Sequence, residues 1–200
     1  MRKFSAVAAL ALGLSLALTG CGSDDSEGSS TTVSTTEHNK ADVTFATQMI
    51  QHHAQALSMV DMTMGRDLDP KVAALAEDIR QAQAPEIETM SGWLQEWGED
   101  IPETVRDHAN AESDMEGMDS DTGTDLPGMM SDDDMAALEG ASDAEFQDMW
   151  LEMMVRHHEG ALQMAKTEEV DGQFKAAVDL SKKIQRAQTA EIGTLKNLLG

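Results

Sequence analysis

Sliding the chain against itself so that Phe45 falls on Trp150 aligns residues 45–95 with residues 150–200 without a gap. Identical pairs include Met49/Met154, His52/His157, His53/His158, Ala56/Ala161, Leu57/Leu162, Met59/Met164, Leu75/Leu180, Ile79/Ile184, Gln83/Gln188, Glu86/Glu191 and Leu94/Leu199. Of the 6 His in the chain, four fall at two equivalent steps, which coincidence does not produce. A self-match at a fixed offset marks an internal repeat. Whatever one half folds into, the other must fold into as well.

The repeated unit has helical period. At about 100° per residue, Phe45, Met49, His52, Ala56, Met59 and Thr63 fall on one stripe with His53 and Leu57 on its shoulder. Trp150, Met154, His157, Ala161 and Met164 repeat that stripe. A second helix in each unit carries Val72, Leu75, Ile79, Gln83, Glu86 and Met90, or Leu180, Ile184, Gln188, Glu191 and Leu195, on one face. Asp69-Pro70 reads as a helix start and Asp171-Gly172 as a break. The expectation is an all-α four-helix bundle made of two duplicated helical hairpins, at about 40–98 and 143–199, joined by an acidic, Met-containing loop at about 99–142. Pro85 breaks the symmetry, because its mate is Ala190. An interior proline removes a backbone hydrogen bond and is expected to kink or divide its helix.

The joining segment is dense in Asp and Glu, with Arg106 its one base, and holds Met115, Met118, Met129, Met130 and Met135. Residues 99–128 read as mostly mobile, followed by a short helix capped by Ser131 or Asp132 and running through Leu138. An exposed acidic loop has no packing reason for five methionines, which favours metal capture there. His38 and His108 stand singly and receive no role.

Residues 1–20 have the form of an export signal. Arg2 and Lys3 precede a small and apolar run over 6–18, too short to span a bilayer comfortably. It closes on Leu18-Thr19-Gly20-Cys21, which resembles a bacterial lipobox and implies cleavage before Cys21 and lipid on its sulfur. The one cysteine of the chain falls at the single position where lipidation needs it. Residues 21–38 are polar and read as a disordered tether. The expected location is outside the cytoplasm, lipid-anchored on the extracytoplasmic face of a bacterial membrane, with the bundle over 39–200.

Composition narrows the function. A formal net charge of -23 argues against a nucleic-acid partner, which needs basic residues to neutralise phosphates. Cations are the natural small partners. A lone Cys excludes an internal disulfide and a multi-thiolate metal site, whereas Met, at 15 residues, supplies abundant thioether. There is no Gly-x-Ser-x-Gly and no phosphate-cradling glycine loop, so nucleophilic catalysis has little support.

His52, His157, Glu86, Glu191, Gln83 and Gln188 lie on stripes that must be buried. Unpartnered, each costs roughly 1–3 kcal/mol or more, so they are expected to find one another. Two readings stay open. A satisfied His/Glu hydrogen-bond network would fix helix register, whereas a bundle interior lined by such groups is also how metal sites are built. Met49 lies three residues before His52 and four before His53, so it can share an ion with either, as can Met154 with His157 or His158. Imidazole with thioether favours copper(I) or silver(I) over harder ions. For Met59, Met62, Met64, Met90 and Met164 core filling is the expectation. Glu86 and Glu191 are expected as ligands or as acceptors orienting a His ring. A dimetal enzyme using the same interior is a third reading. No protein partner is legible.

Met49-Ile50-Gln51-His52-His53-Ala54-Gln55-Ala56, its counterpart over Met153 to Ala161, Gly128-Met129-Met130-Ser131 and Trp93-Leu94-Gln95-Glu96-Trp97-Gly98 together resemble the bacterial domain-of-unknown-function family numbered 305. The resemblance spans about residues 39–200 and is specific, since the doubled His-His steps and the tryptophan close come in order. It implies a ferritin-like four-helix bundle, usually exported and often lipidated, with copper-binding relatives. His52, His53, His157, His158, Met49 and Met154 match the family's motif. For most members no defined activity is implied.

Overall fold

A computed structural model describes residues 32–110 and 126–200. The export signal, Cys21, Met115 and Met118 lie outside the described residues. Six helices are described: α1 (Lys40–Asp61), α2 (Pro70–Trp97), α3 (Val105–Asn110), α4 (Asp132–Gly140), α5 (Asp143–Asp171) and α6 (Lys175–Leu199). The four long ones are the two expected hairpins, α1/α2 and α5/α6, and α1 packs against α5. Among the described residues there is no strand, only an isolated bridge between Ser34 and Phe174, and no helix is long and apolar enough to cross a membrane.

The helix ends follow local chemistry. Asn39 caps α1 in a reciprocal box with Asp42. Asp69 caps α2 with Pro70 in the first turn, and Gly98 closes it at φ 75°, a left-handed conformation that suits glycine. Ser131, not Asp132, caps α4. Pro85 does not divide α2, which runs through it from Pro70 to Trp97.

The joining segment is more structured than its charge suggests. Residues 105–110, expected as mobile, form α3 against α1, where Arg106 pairs with Asp61 at 2.6 Å. Met130 is fully buried and Met135 packs on the same cluster, so these two fill core rather than standing free to capture ions. Residues at the end of the expected tether are attached too. Ser34 exchanges backbone hydrogen bonds with Gln173 and Lys175, and His38 stacks on Trp97 at 4.4 Å.

Helices α1 and α5 run antiparallel. Trp150 Nε1 donates to Met59 O at one end, the His52 and His157 rings meet midway at 3.8 Å between centroids, and Asp42 meets Glu168 at the other end. The core divides accordingly. One apolar cluster takes Ala56, Met59 and Val60 from α1 with Phe146, Trp150 and Met154 from α5. The other takes Phe45, Met49 and Ile50 with Ala161, Met164 and Ala165. Both His-His steps fall in the interval between the clusters. The bundle therefore has a polar waist between two apolar halves.

At the far end, Asp42 is fully buried and accepts from the amides of Asn39, Gln173 and Phe174. Glu168 is buried beside it with neither carboxyl oxygen hydrogen-bonded to a protein donor. Burial and the neighbouring Asp42 carboxylate push Glu168 up to about 9, and a protonated Glu168 can donate to Asp42. A carboxyl whose folded pKa is raised stabilises fully below its unfolded pKa and loses that contribution as pH climbs through the folded one. We expect unfolding free energy to fall by on the order of 2 kcal/mol or more between about pH 5 and about pH 8 from this group. Glu168→Gln, which keeps a donor and cannot ionise, should flatten that slope in denaturant titrations. An unchanged slope would contradict the assignment.

Candidate metal site

His52, His53, His157 and His158 are all fully buried at the waist. The two members of each step find different environments, because neighbours on a helix diverge by about 100°. His52 and His157, on the centre of their stripes, point across the α1/α5 seam and meet with their rings tilted by 39°. His53 and His158, on the shoulders, turn to the second helix of their own hairpins. His53 Nε2 lies 3.0 Å from Glu86 Oε2, and His158 Nε2 lies 2.7 Å from Glu191 Oε2. The expectation that the polar groups meet holds for these pairs. The spacing did not reveal that the shoulder histidines, rather than the central ones, take the glutamates.

A carboxylate or a carbonyl only accepts, so the ring nitrogen facing it carries the proton. His53 and His158 thus donate from Nε2 to Glu86 and Glu191. His52 donates from Nε2 to Pro127 O at 3.0 Å. Burial, then the charge of His53, lowers the His52 pKa to about 3, so its ring is neutral and Nδ1 holds a lone pair. Burial lowers His157 well below its ordinary value, with His52 adding to the effect.

Nδ1 of His52, His53 and His158 and both ring nitrogens of His157 are buried without a hydrogen-bond partner. Both side-chain amide atoms of Gln83 and Oε1 of Gln188 are in the same condition. Native interiors leave few polar atoms unpaired, and among the described residues all but the two oxygens of Glu168 belong to these histidines and glutamines. The carboxylates work from outside this group. Burial pushes Glu86 up, but His53 and Lys183, 3.2 Å away, more than offset this and hold it below the usual carboxylate range.

Met49 and Met154 are both fully buried. They sit on opposite sides of the waist, Met49 in one apolar cluster and Met154 in the other. Among the described residues no three His, Cys, Asp or Glu side chains are gathered so that they could hold an ion by themselves. A centre at the waist would draw on the facing pair His52/His157 and on thioether. That donor set suits soft ions, which accept low coordination numbers, better than oxygen-seeking ones.

Over this seam runs a strap, residues 126–131, that the spacing of the sequence does not announce. Gln55 clamps Met130 through two backbone contacts, Nε2 to O and Oε1 from N, each 2.8 Å. Gly128 has φ 78°, and a Cβ on Gly160 would stand 1.8 Å from Pro127 O, so the strap lies directly on the α5 backbone. In the internal alignment Gln55 and Gly160 are mates. The one position of the His-bearing helices where the repeat trades a long polar side chain for none is where the strap crosses. A glycine inside a helix costs about 1 kcal/mol relative to Ala, and that is the signal that could have exposed the strap.

No curated protein matches the chain. Among solved structures it resembles a putative secreted DUF305 protein from Streptomyces coelicolor, at 29% identity and TM-score 0.66, covering 80% of this chain and 91% of that one. A DUF305 fragment from Deinococcus radiodurans matches at 27% identity and TM-score 0.65, covering 81% and 97%. CopM in a Cu(II)-bound form matches at 27% identity and TM-score 0.62, covering 79% and 95%, and CopM is also solved in Cu(I)-bound and Ag-bound forms. The model of the domain of unknown function DUF305 matches residues 42–199, and the chain belongs to that family.

Proposed function

We propose that this protein is a lipid-anchored, extracytoplasmic copper-binding protein that buffers Cu(I) or hands it on, rather than transforming a substrate. The observation that carries the reading is the waist, where buried, unpartnered ring nitrogens of four histidines concentrate between the thioethers of Met49 and Met154. Leaving such atoms buried and unpaired costs about 1–3 kcal/mol each, so a ligand that pairs them stabilises the fold. Copper and silver in CopM support the choice of ion. Glu86 and Glu191 act as acceptors that fix the His53 and His158 rings. Anchoring through Cys21 is supported by the lipobox-like Leu18-Thr19-Gly20-Cys21 and by the basic start ahead of the apolar run. A single acyl chain binds membranes marginally, so stable anchoring needs more than one.

The two His–Glu pairs favour a second reading, in which the waist is a hydrogen-bond network that sets helix register. Thermal unfolding separates them. A ligand that binds only the folded chain raises the midpoint in proportion to RT ln(1 + [L]/Kd). Anaerobic Cu(I), or Ag(I) in its place, should therefore raise the midpoint of the wild type. His52→Ala combined with His157→Ala should remove most of the rise while far-UV helicity persists. A wild-type midpoint that does not respond to either ion favours the structural network.

A further inference from the structure

His52 and His157 are closed off from solvent, so an ion that reaches them needs a path. A cleft of about 510 Å³ opens between the N-terminal turns of α1 and the C-terminal turns of α5, with Thr44, Phe45, Gln48, Pro127, Met164 and Glu168 on its walls. Its α1 wall continues the stripe of His52. Gln48 lies one turn before that histidine and Phe45 two turns before it. Its α5 wall continues the stripe of His157, from which Met164 is two turns away. The cleft thus follows the same α1/α5 seam that leads, inward, to the facing imidazoles. Pro127 belongs to both: it lines the cleft, and its carbonyl oxygen accepts from His52 Nε2.

We propose that this cleft is the entry and exit route for a soft monovalent cation, with the Pro127 segment of the strap as its gate and the Met164 thioether as a relay donor on its wall. This rests on the copper-binding reading and adds to it a path and a direction of access. An alternative groove, about 350 Å³ and lined on α1 by Ile50, Ala54 and Leu57, lies on a face of α1 turned away from His52. A relay through Met164 fits the ion's chemistry, because its sulfur offers soft donation without the charge that would trap the ion. Breaking the His52–Pro127 hydrogen bond frees the ring from the strap, so that it can turn its Nδ1 lone pair toward the cleft, and gate opening and ligand exchange are one motion. No bond other than hydrogen bonds and metal–ligand contacts changes in the process.

Stopped-flow loading of the wild-type chain with anaerobic Cu(I), and unloading into a chromogenic Cu(I) chelator, tests the route. Thr44→Trp fills the lip of the cleft from an exposed position and should slow loading and unloading alike by about tenfold, with equilibrium affinity unchanged. Gln55→Ala removes both clamps on Met130 and should accelerate both rates. Ala84→Trp, which crowds the alternative groove, should change neither. Wild-type rates in Thr44→Trp, or slowing confined to Ala84→Trp, would overturn the route while leaving binding intact. A wild-type chain that takes up no ion overturns the binding reading itself, and the two failures are thereby told apart.

Discussion

Gly160→Ala is expected to destabilise the protein by about 3 kcal/mol, although alanine favours an isolated helix by about 1 kcal/mol over glycine. The sign is decided by what the methyl group meets. Its Cβ would stand 1.8 Å from Pro127 O and 2.4 Å from the carbonyl carbon, both backbone atoms, so no side chain can rotate aside. The strap must lift. Lifting it strains the Gln55 contacts to Met130 and the His52 contact to Pro127. Gly193 in α6 is the natural control, because a methyl group there would meet nothing within 4 Å: Gly193→Ala should be neutral or stabilising. Chemical denaturation of both variants checks this, and equal effects at the two positions would contradict the close packing of strap on helix.

Met49→Leu combined with Met154→Leu is expected to weaken Cu(I) and Ag(I) binding by about 10- to 100-fold, or roughly 1.4–2.7 kcal/mol, while leaving zinc affinity nearly unchanged. Leucine keeps approximate volume and apolarity, so the two core clusters lose little. Only the soft donor disappears. Competition titrations with each ion read the preference directly. If the double variant keeps its preference for Cu(I), the thioethers are core filling and the preference comes from the imidazoles of the waist.

Much of this architecture was legible because the repeat and the helical period are properties of spacing. Equivalent His-His steps, Gln83/Glu86 against Gln188/Glu191, and the stop at Asp171-Gly172 all follow from counting along one helix. What could not be counted was partnership between helices. Whether Glu86 meets His52 or His53 depends on how α2 is rotated against α1, and a shoulder residue about 100° from the stripe centre proved nearer. The strap was hidden for another reason: it is held by main-chain atoms, and a carbonyl such as that of Pro127 leaves no residue-type signature. Arg106 illustrates a third limit, since one ion pair with Asp61 helps bring α3 onto α1 inside a segment whose composition reads as solvated. His38 looked isolated because its partner, Trp97, is distant in the chain and contributes stacking rather than charge.

Equilibrium competition for Cu(I) against a chromogenic chelator, on the wild type and on the variant with His52, His53, His157 and His158 all changed to Ala, addresses the binding claim most directly. The wild type is expected to withdraw copper from the chelator in a fixed ratio to chain, and the fourfold variant, still helical by far-UV circular dichroism, to withdraw none. A fourfold variant that competes as well as the wild type, or a wild type that does not compete, would contradict the binding claim.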